Sequence, residues 1–418
     1  MSSSVTCHTA DVAKRMLSYN WRYFRWQLIL IIISLMAMAS MAVTPLLIKH
    51  LVDEVLVAKK YQYFAIFSLL ILLAVTAERI FSFLLNKYYM LTVNRVIKDL
   101  QISAYSHIQK LPVEFFVKTP TGTLISRICS DIVVMAPLVG TSIAFLASNV
   151  LELIALTFVL TYLNVELSLI ALSFLPLYYV IFKKYNRKLQ EDAAEERKTY
   201  SKVVEGLKEK LEGIVTVKNL NLLERFKNLF AKDVDRWVKS RQAMYVDSYL
   251  LRNVNLYIVA VVSTIVLVYG GFKVLTGTLT LGTLIGFFTY FRWLYEPIRQ
   301  LVDWNNEFQR GKSAALRVFE VLDAKEETEG CYELGKLREI SYVNVDFAYN
   351  GKLILKKLNL TIKAGERVAI VGASGAGKTT MISLLPRFYD PLKGEVRVNG
   401  RSLKEYKLAS LRRSVVIV

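Results

Sequence analysis

Runs of apolar side chains dominate the first three quarters of the chain, and their lengths decide what they are. The stretch from Gln27 to Ile48 carries no charge, and the hydrocarbon core of a bilayer needs about 20 helical residues of this kind. A second run begins at Tyr61 and continues past Glu78 and Arg79 toward Leu91, and a third lies between Ile132 and Asn164 with one internal acid, Glu152. A fourth covers Leu167 to Phe182, a fifth centres on LYIVAVVSTIVLVYGGF, and a sixth runs from Leu279 to about Pro297. The pattern predicts an α-helical membrane domain of six long spans.

The links between these runs alternate in size. Short ones such as TYLNVEL and GGFKVLTGTLTLG hold few Lys or Arg, whereas Asn86 to Asp131 and Lys183 to Asn255 are long and basic. Basic connections stay on the cytoplasmic side, which places both long links and both termini in the cytoplasm of a multi-pass protein. The second long link is dense in helix formers, with Val203, Leu207, Leu211 and Ile214 forming a helical stripe, so the spans are expected to extend far beyond the membrane as helices. Turns are expected near VKTPTGTLISRI, where Pro120 and Gly122 break the pattern and Thr119 or Thr121 can cap the next helix, and again near Gly206 to Gly213. Ahead of the first span, DVAKRMLSYNWRYFRWQ mixes basic and aromatic residues as an interfacial helix would.

Near Lys325 to Gly335 the pattern loosens into an acidic linker, and from about Glu339 the period becomes that of strands: ISYVNVDFAY, LILKKLNLTI, ERVAIVG, a helix, then GEVRVNG. The expected organisation is a membrane domain over 1–324, a linker over 325–338, and an incomplete α/β P-loop NTPase domain over 339–418. Composition agrees. Hydrophobic residues make up 54% of the chain, and the net charge of +19 suits basic loops facing anionic headgroups. Nucleic acid is not an expected partner, because no compact basic segment is interleaved with aromatic residues. The cysteines (Cys7, Cys129, Cys331) and histidines (His8, His50, His107) are too scattered for a disulfide framework or a metal site. The N-terminus lacks the apolar core and cleavage site of a signal peptide.

The strongest chemical signal is GASGAGKTT, which fits GxxxxGK[ST] through Gly372, Gly377, Lys378 and Thr379, with Ser374 and Gly375 inside the loop. A chance match in a chain of this length is on the order of one per cent. An apolar segment, Val368 to Val371, feeds the glycines, and a helix-compatible TMISLLPRFY comes after them. Glycines let backbone N–H groups turn toward phosphate oxygens, Lys378 is expected to reach the β- and γ-phosphates of ATP, and the Thr379 hydroxyl to ligate Mg²⁺. A second GKS at Gly311 to Ser313 has Asn306 where the first glycine should stand and reads as a solvated helix face.

Through LPVEFFVKTPTGTLISRICSD, NNEFQRGKSAALRVFEVLD, VDFAYNGKLILKKLNLTIKAGERVAIVGASGAGKTT and RFYDPLKGEVRVNGRSLKEYKLASLRRSVVIV, nearly the whole chain resembles an ABC exporter half-transporter of the lipid A flippase and multidrug-exporter type. The resemblance implies an ATP-coupled translocase of the bacterial inner membrane that works as a dimer with a second half-transporter, a homodimer before a heterodimer. It implies that Tyr349 stacks on adenine, that Thr380 helps hold the α-phosphate, and that the turns at Thr119 to Ile128 and Gly206 to Gly213 are coupling helices. In that family a strand matching Ser414 to Val418 leads to a Q-loop glutamine, an LSGGQ signature, a Walker B strand with its catalytic Glu and a switch His. The 418 residues contain none of these, so no catalytic residue is assigned, and the expectation is a truncated subunit that does not hydrolyse ATP alone. The alternatives are a non-hydrolysing nucleotide-binding membrane protein, a defective modulatory subunit, or an ATP-independent channel or scaffold.

Charges within the apolar runs point to the substrate. Arg79, Glu152 and Arg299 are candidates to line a central cavity, and Arg79 and Arg299 match basic cavity positions of the lipid A flippase, whose third falls near Ala147. An amphipathic anionic lipid and a hydrophobic drug both remain open as cargo. Arg79 can equally pair with Glu152 or snorkel to the interface.

Overall fold

The computed structural model describes residues 9–349 and 351–417. Cys7 and His8 lie outside the described residues. The helices are α1 (Thr9–Arg22), α2 (Phe24–His50), α3 (Phe64–Ile108), α4 (Val113–Lys118), α5 (Thr121–Ser126), α6 (Ile132–Gly140), α7 (Ser142–Leu163), α8 (Val165–Ser173), α9 (Leu175–Glu212), α10 (Ile214–Asn219) and α11 (Leu223–Leu275). Then come α12 (Leu281–Trp293), α13 (Tyr295–Leu322), β1 (Glu339–Tyr349), β2 (Lys352–Lys363), α14 (Lys378–Ser383), β3 (Lys393–Val398), β4 (Arg401–Ser402) and α15 (Leu408–Ser414). Two compact units are built from them: Asn20–Thr92 with Thr141–Phe308, and the residues up to Tyr19 with Val93–Gly140 and Gln309 onward.

In the first unit α11 lies along α9, and α12 packs against α2, α7 and α11. Its core gathers Leu160, Leu167, Val262, Val266, Phe287, Tyr290 and Phe291, all fully buried. The Tyr290 hydroxyl donates to the Ala42 carbonyl on α2, and Ser34 meets Ser148 at 2.6 Å between α2 and α7. Many large apolar side chains face outward instead, among them Leu72, Phe158, Tyr162 and Val268. That inversion suits a lipid solvent rather than water. Among the described residues six helical runs are long and apolar enough to cross a membrane: Phe24–Val57, Tyr61–Ile108, Thr121–Gly140, Ser142–Leu163, Val165–Glu212 and Leu223–Leu275.

The expected sixth span, Leu279 to about Pro297, is not among these runs, whereas Thr121–Gly140 is, and two joints account for the difference. The third apolar stretch is divided at Thr141 (φ −137°), so that α6 and α7 are separate helices. The sixth is divided at Leu294, whose N–H bonds back to Phe291 O at 3.2 Å, and α12 alone is only 13 residues long. Pro297 explains this second break, since a proline ring clashes with the carbonyl four residues earlier, here that of Trp293. Gly206 does not interrupt α9, which runs to Glu212; the turn comes at Gly213 and again at Leu220 to Leu222. Before α5 the capping position is Pro120, with no side-chain bond from Thr119 or Thr121, because the extended backbone at Pro120 already starts the helix.

In the second unit a four-stranded sheet has the order β2-β1-β3-β4 with every pair antiparallel. Tyr342 faces Leu360 on one side and Val396 on the other, and its ring joins Val345, Phe347, Leu355, Met381, Leu384 and Leu411 in the core. Gly311 sits within α13 as a buried residue against Leu138, so the GKS there is helical as expected but not solvated at its glycine. Arg317 on α13 grips Asp131 with two hydrogen bonds, Nε to Oδ2 at 2.8 Å and Nη2 to Oδ1 at 2.6 Å. That contact holds the Arg317 guanidinium above its ordinary pKa.

Candidate functional site

The glycine loop begins at Gly372 and ends where α14 begins. Gly375 (φ +82°) and Gly377 (φ +90°) occupy the left-handed region that side chains resist, and Gly377 is the residue ahead of α14. A Cβ on Gly377 would lie 2.8 Å from Leu355 Cδ2 and 3.0 Å from Ile354 Cγ2, so the loop is pressed onto β2. Lys378 curls back, its Nζ donating to the carbonyls of Gly372 and Ala373, both at 2.8 Å. The Ser374 and Thr379 side chains are exposed, whereas Thr380 is buried under the loop. The ammonium is thus held over the loop by neutral acceptors that an anionic oxygen would outcompete, and the residues fit a triphosphate.

The segment feeding this loop departs from expectation. Residues 367–371 join no strand among those described, and Val371 is 89% exposed. A strand entering a P-loop is parallel to its neighbours, and the described sheet offers only antiparallel pairs. The helix after the loop is likewise shorter than TMISLLPRFY suggested, because Pro386 has no N–H to give and Arg387 adopts φ +55°.

Tyr349 ends β1, half-buried, with its ring edge-on to Phe347 (4.8 Å) and Tyr389 (5.2 Å). It lines a cavity of about 410 Å³ together with Pro112, Glu114 and Lys118 at α4, and Arg387 and Tyr389. Cross-strand pairing ties this cavity to the loop: Phe347 opposes Leu355, the residue against which Gly377 packs. Burial pushes the Tyr389 hydroxyl above the usual tyrosine range, and its neighbours Tyr349 and Glu114 add to the shift. Sequence reasoning missed Tyr389 and α4, although RFYDP directly after the loop helix and VEFFVK ahead of Pro120 were signals for both.

The linker between α13 and β1 is pinned. Glu327 N donates to Lys110 O at 2.9 Å, its carboxylate receives Arg412 at 2.7 and 2.8 Å, and Arg387 donates to Thr328 O at 2.9 Å and Thr328 Oγ1 at 2.8 Å. His107 adds contacts to Glu326 and to the Ala324 carbonyl.

Of the three intramembrane charges, Glu152 lines a cavity of about 480 Å³ whose walls include neither Arg79 nor Arg299. Arg79 reaches Glu78 at 3.0 Å and not Glu152, and Arg299 is held by Glu296 at 2.5 Å and Asp303 at 2.8 Å. The structure does not bring the three together.

Residues 27–298 match the family model of the ABC transporter transmembrane region, and residues 355–418 match the ABC transporter family model. The chain belongs to the ABC transporter family. The six apolar helices are therefore those of an ABC membrane domain, and the small sheet with its glycine loop belongs to a nucleotide-binding domain. Among relatives of this ABC transporter, the ATP-dependent lipid A-core flippase of Syntrophus aciditrophicus is 33% identical over 78% of this chain and 55% of its own length. That of Desulfotalea psychrophila is 31% identical over 89% of this chain and 66% of its own. A Bacillus subtilis ATP-binding/permease protein named for multidrug export is 26% identical over 97% of this chain and 72% of its own length. The chain thus spans 55% and 66% of the first two of these relatives.

Proposed function

We propose that this chain is a subunit of an ABC exporter dimer that uses ATP to move a lipid or an amphipathic compound across the bacterial inner membrane, with both termini in the cytoplasm. The observation that carries the reading is a phosphate loop in the left-handed glycine conformation on the same chain as six apolar helices. The relatives named for lipid A-core flipping and for multidrug export support the cargo class. Functionally the chain divides into 1–324, the linker 325–338 and 339–418.

ATP, when bound, supplies the free energy of its γ-phosphoryl bond. Lys378 releases the Gly372 and Ala373 carbonyls and turns its ammonium toward phosphate oxygens. Backbone N–H groups of the loop, from Gly372 through Ser374, Gly375 and Gly377, line the phosphates; Thr379 offers its exposed hydroxyl to Mg²⁺, and Thr380 supports the α-phosphate side. Tyr349 presents a ring to adenine. Of the intramembrane charges, Glu152 contacts cargo directly, while Arg79 and Arg299 act from behind it, neutralised by Glu78 and by Glu296 and Asp303. Closure of two such domains over nucleotide would be carried to the membrane helices by the segments Thr119 to Ile128, which contains α5, and Gly206 to Gly213, where α9 ends.

The test is the protein as its gene encodes it, in proteoliposomes containing a headgroup-labelled lipid. ATP-dependent loss of label from the leaflet on the side of the nucleotide-binding domain, abolished in Lys378→Ala, is expected. Movement that ignores nucleotide, or nucleotide binding with no movement of lipid or drug, would overturn the exporter reading in favour of a channel or a non-hydrolysing binder.

A further inference from the structure

The cavity around Glu152 differs in chemistry from one suited to an anionic lipid. It is walled by α2, α3 and α7 with Gln300 from α13, and its volume of about 480 Å³ is that of a small-molecule site. Two carboxylates line it, Glu78 from α3 and Glu152 from α7, and none of its lining residues is Lys, Arg or His. Glu78 shares its charge with Arg79, whose guanidinium lies outside the lining and is largely exposed. Glu152 has no hydrogen-bond or ion-pair partner among the described residues, and Arg299 is already engaged by Glu296 and Asp303.

A second observation is independent of the carboxylates. Asn149 lies three residues before Glu152 on the same face of α7, lines the cavity, and is only 4% exposed. Its Nδ2 donates to the Phe145 carbonyl at 2.9 Å, while its Oδ1 is buried and accepts no hydrogen bond. A buried acceptor without a donor is costly, and so is a carboxylate in a membrane without a counter-charge. Met38, Met41, Phe145 and Tyr89 supply adaptable apolar walls and aromatic faces that suit a positive guest.

The geometry points to a binding site for a lipophilic cation, held by Glu152 with Glu78 in support and Asn149 in the polar wall behind them. This names the cargo class of the export path proposed above and rests on that reading only for its role in transport, since binding needs no nucleotide.

The probes are tetraphenylphosphonium and tetraphenylborate, alike in size and opposite in charge, measured by equilibrium binding without nucleotide. The protein as its gene encodes it is held in zwitterionic nanodiscs, and partitioning into empty nanodiscs is subtracted. Tetraphenylphosphonium should bind at least about tenfold more tightly than tetraphenylborate. Glu152→Gln should weaken the cation by about 5- to 20-fold and leave the anion unchanged. Glu152→Asp, which keeps the charge, should retain the preference; Glu78→Gln should have a smaller effect, because Arg79 already shares that charge. Thermal stability measured on each variant separates lost binding from misfolding. Equal or tighter binding of tetraphenylborate, or a folded Glu152→Gln that binds the cation as before, overturns the assignment. Loss of ATP-driven transport with the charge preference intact would count against the exporter reading alone.

Discussion

Gly375 and Gly377 look interchangeable in a motif, yet the structure makes them unequal. A Cβ at Gly375 (φ +82°) meets nothing within 4 Å, so Gly375→Ala incurs only the left-handed backbone penalty of about 1–2 kcal/mol. At Gly377 (φ +90°) the same penalty is joined by contact with Leu355 Cδ2 at 2.8 Å and Ile354 Cγ2 at 3.0 Å, and overpacking adds about 1–3 kcal/mol. The sum for Gly377→Ala is then about 2–5 kcal/mol, against about 1–2 for Gly375→Ala. If the penalty falls on the phosphate-ready loop, MgATP affinity should drop about 5- to 30-fold for Gly375→Ala and at least about 30-fold for Gly377→Ala. Titration with a fluorescent ATP analogue measures both. A double variant, Gly377→Ala with Leu355→Ala, should recover part of the loss by removing the closer contact. Equal affinities for the two single variants would refute the argument that β2 presses on the loop.

Asp53 accepts Gly282 N and Thr280 Oγ1, each at 2.7 Å, at the start of α12, so Asp53→Ala should destabilise by about 1–2 kcal/mol and Asp53→Asn by less, read as thermal unfolding in detergent. Arg317→Ala strands a nearly buried Asp131 and should cost about 1–3 kcal/mol after allowing for the half-exposed arginine; Arg317→Lys, lacking the fork, should recover only part of it in the same assay. Cys331 is exposed and falls in the linker, so an impermeant maleimide should label it in inside-out membrane vesicles and not in right-side-out ones, and the reverse pattern would overturn the cytoplasmic placement of the C-terminal region.

What could be read from the chain divides along physical lines. Apolar runs and the glycine loop are local patterns, so most of the helical spans and the left-handed turn at Gly375 and Gly377 were legible from spacing alone. Breaks at Thr141 and Leu294 were not, because hydropathy is blind to where a helix ladder is interrupted, although Pro297 was a signal for the second. The apolar VAIV reads as a strand by propensity, but strandhood depends on a pairing partner and not on the segment itself. Partner choice was similarly hidden: Arg79 took its neighbour Glu78 in place of Glu152, and the Glu327–Arg412 contact joins residues 85 apart in sequence. No periodicity carries that information.

The linker has a mechanical consequence. An acidic, loosely patterned stretch of this kind is ordinarily a slack tether that absorbs motion at one end before the other feels it. Here Glu327 and Thr328 are fastened to the Lys110 carbonyl, to Arg412 and to Arg387, the last only seven residues beyond Thr380. Fastened at several points, the segment behaves as a strut with little play. Lengthening it with flexible residues would then restore slack to a segment that now passes displacement at the end of α13 directly to Arg387 and Arg412.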